Sequence, residues 1–566
     1  MAKYHWQERQ VNQSVLDSIL SKTDLPLAAA RVAANRLSKD DNIDLYIDPN
    51  LQHMLSPLGI VGLEQAAQAI AAAVIKEKKF LIHGDFDADG ISSCALLTHF
   101  FRSLNVEVVP FVPNRLKEGH GLSLNALKIA QEEACDLVIT CDCGSSNKEE
   151  IEQFRAAGID VIITDHHQAG DSVDADCIIV NPQLAQNIEY QNLAGVGVAF
   201  MLCVGIRSAL REKHYFDQKD EPNLKQLLDI VALGTIADLT PLKGLNRLFV
   251  KEGLRQLSKS QKPGIVAMRN CAGISTGAKL LSEDVGFKLA PRINAAARLG
   301  YADVALETLL AQDVIQATEL ATKLETYNTQ RKSLQKTILS NAKDMARRQI
   351  SLGERCIVLC SKDFHPGING LVAQQLSQEF AMPAIVFYED GEIAKGSARS
   401  FSGFNLMDLF EHAKDHMLQY GGHKQAGGGS VAMQNFSMFL SSCQQFMKKQ
   451  ANTGIVQKLY DGVLEHEFIK KDLIEALNHL GPFGMGHEEP LFKFTVKPID
   501  VRCLSNKHLK FKIENQGQVI DCIGFDFWQQ FESLSSQQHE FDIIARPEIN
   551  VWQGYENIQL RIADIL

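Results

Sequence analysis

The sequence predicts an α/β chain in several parts: a parallel-sheet domain, a long connecting helix, a second α/β domain and a C-terminal barrel of short strands. Three observations carry that prediction. Between residues 80 and 181, short apolar runs alternate with helical segments of ten to fifteen residues, the pattern of a parallel sheet covered on both faces. Residues 303–349 have helical composition and contain neither Gly nor Pro. Beyond residue 455, five short strand-like runs are separated by turns, which suits a small barrel. A length of 566 residues leaves room for these parts at ~100–200 residues per domain.

Taken in order, the first 50 residues read as an N-terminal arm with helices near 11–20 and 27–38, and 62–77 reads as an amphipathic helix. KKFLIHG is an apolar run that enters an acidic loop, and GISSCALLTHFFRSL is the helix after it. NVEVVPFVPN, DLVITCDCG, IDVIITDHH and DCIIVNP read as strands, with SLNALKIAQEEA and KEEIEQFRAAG as helices between them. Helices are expected at 196–212 and 222–236. After the connector a second alternating pattern runs RCIVLCS, a helix at 368–380 and PAIVFYED, and ends in GGHKQAGGG. TVKPIDVRCL, HLKFKIENQG, QVIDCIGF, FDIIARPEINVW and NIQLRIADI are the five runs that suggest an oligonucleotide-binding (OB) type of barrel.

Composition excludes several classes. With 45% hydrophobic and 22% charged residues, the chain is not disordered as a whole. No apolar run reaches the ~18–20 residues that span a bilayer, and MAKYHWQERQVNQ has no apolar signal core, so a cytoplasmic protein without a membrane anchor is expected. Twelve scattered Cys without a CxxC pair suit a reducing compartment and argue against a zinc ribbon. The net charge of −11 counts against attraction of nucleic acid by overall charge. Distribution matters more: 491–517 carries Lys493, Lys497, Arg502, Lys507, Lys510 and Lys512 against Asp500 and Glu514. Phe525, Phe527, Trp528, Trp552 and Tyr555 add aromatic residues to the same C-terminal part.

HGDFDADG (83–90) lies at the exit of a strand and the entry of a helix, where open α/β sheets bind ligands. Asp85, Asp87 and Asp89 alternate, and Gly90 allows a tight turn. An EF-hand loop is excluded, because its twelfth position would be Leu96 and a strand precedes it. Three carboxylates and a His at one sheet edge repel one another unless a cation neutralises them. Asp142 ends a second strand and Asp165-His166-His167 a third, so a parallel sheet brings them to the same edge. Asp238 follows the apolar segment VALGTIA, where it either joins these groups or only shapes a turn. Mixed imidazole and carboxylate ligands favour Mn²⁺ among the divalent ions. The set exceeds the needs of one ion, and two ions ~3.5–4 Å apart would clamp a phosphoryl group for hydrolysis. GVGVAF (195–200) resembles half a dinucleotide fingerprint but lacks its third Gly and opens no βαβ unit.

HGDFDADG, CDCG, DHH and GTIADLTPL, in that order, resemble the motif set of the DHH phosphoesterase superfamily. PRINAAARLG (291–300), HPGINGLVA (365–373), GSARS (396–400) and GGHKQAGG (421–428) follow, and the whole succession is similar to the RecJ family of bacterial single-strand-specific 5′→3′ exonucleases. Ala297 stands where the family commonly has Gly, and Phe86 where Tyr is frequent. The resemblance implies that His83, Asp87 and Asp142 hold one ion and Asp89, Asp142, His166 and Asp238 the other. It further implies that Asp165 orients a neighbouring His, that His167 contacts the scissile phosphate, and that Asp85 orients a ligand or water. Arg298, Ser397 and Arg399 would hold a terminal 5′-phosphate. Arg292, Asn294, His423, Lys507, Lys510 and Lys512 would contact DNA.

The expectation is therefore a metal-dependent exonuclease that degrades single-stranded DNA from the 5′ end to mononucleotides in recombination and repair. It would use two divalent ions, Mn²⁺ or else Mg²⁺. The implied partners are a single-strand-binding protein and a helicase, and the expected state is a monomer. The corresponding domains are an arm at 1–49, the DHH catalytic domain at 50–302, the connecting helix at 303–349, a DHH-associated domain at 350–454 and an OB-like domain at 455–566. The rivals are a DHH phosphodiesterase of short oligonucleotides or cyclic dinucleotides, and a non-catalytic DNA-binding scaffold.

Overall fold

The computed structural model describes all residues except 1–3, 40, 169–175, 185–186, 276, 451–455, 516–517, 536–538 and 553–554. They pack as two compact units.

The larger unit comprises 56–238 and 253–456. Its first sheet has five parallel strands in the order Val108–Phe111, Phe80–Gly84, Leu137–Cys141, Asp160–Thr164, Ile178–Val180. The strands Phe80–Gly84 and Leu137–Cys141 are buried at every residue, as a sheet covered on both faces requires. One face packs Leu81, Val138 and Ile163 on Ala126, Ala130, Ile151 and Phe154 of two helices. From Phe80–Gly84 the chain moves to one side, to Val108–Phe111, and then returns past it to Leu137–Cys141. That reversal is a switch point, and it opens a crevice at the C-terminal ends of the two central strands.

The expected single connector is two helices. Ala302–Leu310 ends at Ala311, and a new helix, Val314–Ser351, begins at Asp313, whose side chain accepts from Ile315 N and Gln316 N. This cap fixes the start of a helix of 38 residues, about 57 Å long. The second sheet runs Gln419–Gly422, Ala426–Ala432, Ile393–Arg399, Ala384–Asp390, Ile357–Ser361, and only its last pair is parallel. GSARS, a run of small residues, is mostly central strand rather than loop. Its small residues permit this: a Cβ on Gly396 would lie 2.5 Å from the Phe387 ring.

The smaller unit comprises 5–55, 239–252 and 457–566. Its six-stranded sheet runs Phe492–Val496, Phe541–Trp552, Tyr555–Ile565, Gln518–Gly524, His508–Asn515, Ile499–Leu504. The first run expected from the sequence is two strands, Phe492–Val496 and Ile499–Leu504, that pair with different partners. Pro498 lies between them and supplies no N–H to a ladder. The expected N-terminal arm shares the core of this unit. Val15, Ile19, Ala30 and Val32 pack with Leu473, Phe494, Phe511 and Ile543.

Candidate metal centre and phosphate pocket

The acidic loop is closed by glycines that allow backbone to touch backbone. A Cβ on Gly90 would lie 2.4 Å from Asp85 N, and one on Gly84 would lie 2.4 Å from Gly90 O. Asp87 caps the helix Ala88–Ser103 by accepting from Asp89 N and Gly90 N. Asp89 is buried and accepts from Gly195 N at 2.7 Å and Val196 N at 2.9 Å, at the start of the helix Gly195–Glu212. That helix end is GVGVAF, which backs the acids rather than binding a dinucleotide. A Cβ on Gly195 would lie 2.6 Å from Asp142 Oδ1, so only Gly fits there. Asp142 itself has φ +65°, a strained conformation for a non-Gly residue and a common mark of functional sites.

Three groups of side chains bring ligand atoms within 4.8 Å of one another: Asp85, Asp87 and Asp142; Asp89, His166 and Asp238; and Asp142, His166 and His167. Asp142 Oδ1 lies 3.1 Å from His166 Nε2, and Asp238 Oδ2 lies 3.8 Å from the same nitrogen. His166 Nδ1 lies 3.0 Å from Leu193 O, so a proton there donates to that carbonyl and leaves Nε2 for a metal. Asp165 accepts from His166 N, His167 N, Ser145 N and the His167 ring at 2.8 Å, a brace for the two imidazoles. Asp238, ambiguous in the sequence, lies with the ligand atoms.

His83 does not join them. Its Nε2 accepts from Ser123 N at 3.1 Å, its Nδ1 lies 3.5 Å from Cys143 Sγ, and burial pushes the ring down to about 4. Asp85, expected only to orient, takes its place beside Asp87 and Asp142.

The electrostatics fit a cation. Burial, with Asp89 and Asp87 adding, raises Asp142 well above the usual carboxylate range. Burial likewise brings Asp89 to about 6 and, with Asp89 nearby, Asp238 to about 8. Asp85 Oδ1, Asp142 Oδ1 and His166 Nε2 are buried without a hydrogen-bond partner. Acids that repel one another around unpaired lone pairs are what a divalent ion would stabilise. His167 behaves differently: its bond to Asp165 raises it to about 9, and its ring is exposed.

Arginines from several elements come within one another's field and that of Asp87. Burial, then Arg115, Arg399 and Arg331, push the Arg298 guanidinium down to about 9, and Asp87 is near enough to oppose them. Arg399 is lowered by burial and by Arg115. Ser397 and Arg399, two apart on one strand, project to the same face. Arg115 and Arg331 are the residues that sequence reasoning missed. The available signal was PNRLKEG, which follows the strand Val108–Phe111 at the same sheet edge.

Other expected DNA contacts are placed elsewhere. Arg292 is buried, pairs with Glu325 at 2.6 Å and donates to Cys271 O and Lys288 O, so it braces its helix. Asn294 accepts from Ala88 N at 3.1 Å and holds the acidic loop. Ala297 is helical, so no Gly is needed there. Phe86 is buried, with the Arg115 guanidinium 4.9 Å from its ring centre. His423 is exposed in the turn of the Gly-rich hairpin.

The basic segment of the smaller unit is largely neutralised. Lys507 pairs with Asp526, Lys510 with Asp521 and Lys512 with Asp500, at 3.0–3.2 Å. Phe492, Phe494 and Phe511 are core, whereas Phe525 and Tyr555 are exposed. The Trp552 side chain lies outside the described residues.

Strand-end carboxylates and paired histidines at the switch point of a parallel sheet, followed by a second α/β domain, define a DHH-type phosphoesterase. Family models for the DHH N-terminal domain, the DHHA1 domain and the RecJ OB domain match residues 79–235, 353–449 and 460–564. The chain is 33% identical to the single-stranded-DNA-specific exonuclease RecJ of Haemophilus influenzae over 91% of this chain and 92% of that one. It is 32% identical to RecJ of Bacillus subtilis over its whole length and 71% of that protein. The structure of RecJ from Thermus thermophilus in complex with Mn²⁺ superposes with a TM-score of 0.84 at 27% identity, covering all of this chain and 80% of that one. The chain belongs to the RecJ family. None of its described helices is long and apolar enough to cross a membrane.

Proposed function

We propose that this chain is a metal-dependent exonuclease that removes mononucleotides from the 5′ end of single-stranded DNA, in the recombination and repair work of its family. The observation that carries the reading is a cluster of candidate metal ligands whose Asp87 lies near enough to act on Arg298, itself in the field of Arg115, Arg399 and Arg331. Asp85, Asp87, Asp89, Asp142, His166 and Asp238 would hold two divalent ions, Mn²⁺ by preference. Bound there, the ions would polarise the scissile phosphate and activate water. Asp165 keeps a proton on His167 Nδ1 and so aims Nε2 outward at the phosphate. Arg298, Ser397 and Arg399, with Arg115, would take the terminal phosphate. The OB-domain match favours a long strand over short oligonucleotides. A monomer acting with a single-strand-binding protein and a helicase completes the reading.

Digestion of 5′- and 3′-labelled single strands and duplexes, with Mn²⁺ or with chelator, tests it. Label should be released as mononucleotide at once from the 5′ end of single strands only, and chelator should stop the release. Early release from the 3′ end would overturn the polarity.

Arg399→Ala should lower kcat/KM roughly 10- to 150-fold on 5′-phosphorylated strands and much less on 5′-hydroxyl ones, since a charge-assisted contact is worth ~1.5–3 kcal/mol. Equal slowing of both would reduce Arg399 to a brace of its strand.

Replacing Lys507, Lys510 and Lys512 with Ala should flatten the salt dependence of strand binding by ~0.7 in log–log slope per lost phosphate contact. Exposed ion pairs are worth only ~0.2–1 kcal/mol, so a phosphate can displace their aspartates and the fold should barely notice. An unchanged slope would remove these lysines from the strand path.

A further inference from the structure

The helix Asn369–Phe380 begins against the strand that carries Ser397 and Arg399. Gly370, in its first turn, lies close against Arg399 and Ser397. A Cβ there would lie 3.2 Å from Arg399 Nη2 and 3.7 Å from Ser397 Oγ. Asn369, the residue before it, is 1% exposed, and neither its Oδ1 nor its Nδ2 has a hydrogen-bond partner among the described residues. Asn42, Asn187 and Asn405, at helix N-caps, each accept from a backbone N–H two or three residues on. Asn369 is already inside the helix, with Ile368 at the cap position, so its amide faces no such donor. It instead lines a cavity of about 460 Å³ together with Ser397, Gly396, Tyr388 and Tyr420.

A buried amide without partners costs stability, and a fold that keeps one has a use for it. The surroundings indicate the ligand. The N-terminus of a helix of 12 residues offers backbone N–H groups and a positive dipole end, Ser397 offers a hydroxyl, and Arg399 presents its guanidinium. All of these favour an anion.

We propose that Asn369 is a further binding residue for the terminal 5′-phosphate. Its Nδ2 donates to a phosphate oxygen, and its Oδ1 accepts from the Arg399 N–H that faces Gly370, which sets the guanidinium fork against the phosphate. Both orphaned atoms are then satisfied together, but only when the substrate is bound. The proposal rests on the reading of Arg298, Ser397 and Arg399 as the 5′-phosphate pocket.

The test compares kcat/KM on 5′-phosphorylated and 5′-hydroxyl single strands of one sequence for the wild type, Asn369→Asp, Asn369→Ala and Arg399→Ala. Asn369→Asp keeps the shape but exchanges a donor for a like charge. It should reduce the preference for the 5′-phosphate roughly tenfold or more, mainly through KM, and Asn369→Ala should reduce it less. Should the Asp variant fail to fold, the Ala variant reads the same ratio without adding a charge. Equal slowing on both strands, or an unchanged ratio, would make Asn369 a packing residue and overturn the proposal. A wild type with no 5′-phosphate preference would remove the pocket reading itself. A preference narrowed by Arg399→Ala but untouched at Asn369 would remove this proposal alone.

Discussion

Asp142→Ala and Asp142→Asn should each lower hydrolysis of single-stranded DNA by about 10³-fold or more while the protein stays folded. Asp142 is the one carboxylate common to two of the three ligand groups, and its Oδ1 has no hydrogen-bond partner. Its loss therefore disturbs both halves of the centre. The metal-free protein should melt no lower, because a buried carboxylate beside Asp89 and Asp87 is an electrostatic burden that the variants remove. The Asn form is the cleaner comparison, since Asn tolerates the φ of +65° better than Ala. Stabilisation by Mn²⁺, about 2.7 kcal/mol at a hundredfold excess over Kd for one site, should fall away in both. Thermal melting with and without Mn²⁺, beside steady-state hydrolysis, measures each part. A variant that keeps more than a tenth of the wild-type rate would end the assignment of Asp142 as a shared ligand.

His167→Ala should cost roughly 10²- to 10⁴-fold in kcat, the range for loss of a positioned proton donor, and leave Mn²⁺ stabilisation in place. The ring is exposed, and its Nδ1 is held 2.8 Å from Asp165 Oδ1, an acid that burial alone would raise but that its bond to His167 carries well below its ordinary range. The imidazolium is thus favoured, with Nε2 turned outward to meet a phosphate oxygen or the leaving group. His166→Ala should instead lose Mn²⁺ stabilisation together with activity, because its Nε2 faces Asp142, Asp89 and Asp238. If His167→Ala also loses the Mn²⁺ effect, His167 is a ligand rather than a phosphate contact.

The acidic centre was legible because topology alone delivers it. Parallel strands end at one edge, so Asp85, Asp142 and Asp165 had to converge whatever their rotamers. His83 marks the limit of that logic. Its place on the strand was foreseeable, but its hydrogen bonds depend on Ser123 and Cys143, which arrive from two other segments. Arg292 and Asn294 look like DNA contacts in PRINAAARLG, but helix geometry turns one toward Glu325 and the other toward Ala88. Arg115 had only its place after the strand Val108–Phe111 to mark it, and its role shows once it is found in the field of Arg298 and Arg399. The segment 491–517 reads as more cationic than its surroundings are, because Asp521 and Asp526, which pair with Lys510 and Lys507, come from the next strand and the turn after it. In GSARS the small residues serve a strand, where Gly396 makes room for the Phe387 ring.

The shared core of the smaller unit has a consequence for how the chain is made. Val15, Ile19 and Val32 leave the ribosome well before their packing partners Leu473, Phe511 and Ile543, which are synthesised roughly 440 or more residues later. At ~5–20 residues per second that is a wait on the order of 20–90 s. The larger unit can fold in this interval, but the first helices cannot bury their apolar faces. Over that interval the nascent chain carries an apolar segment without its packing partners, which makes that segment the natural target for a holding chaperone.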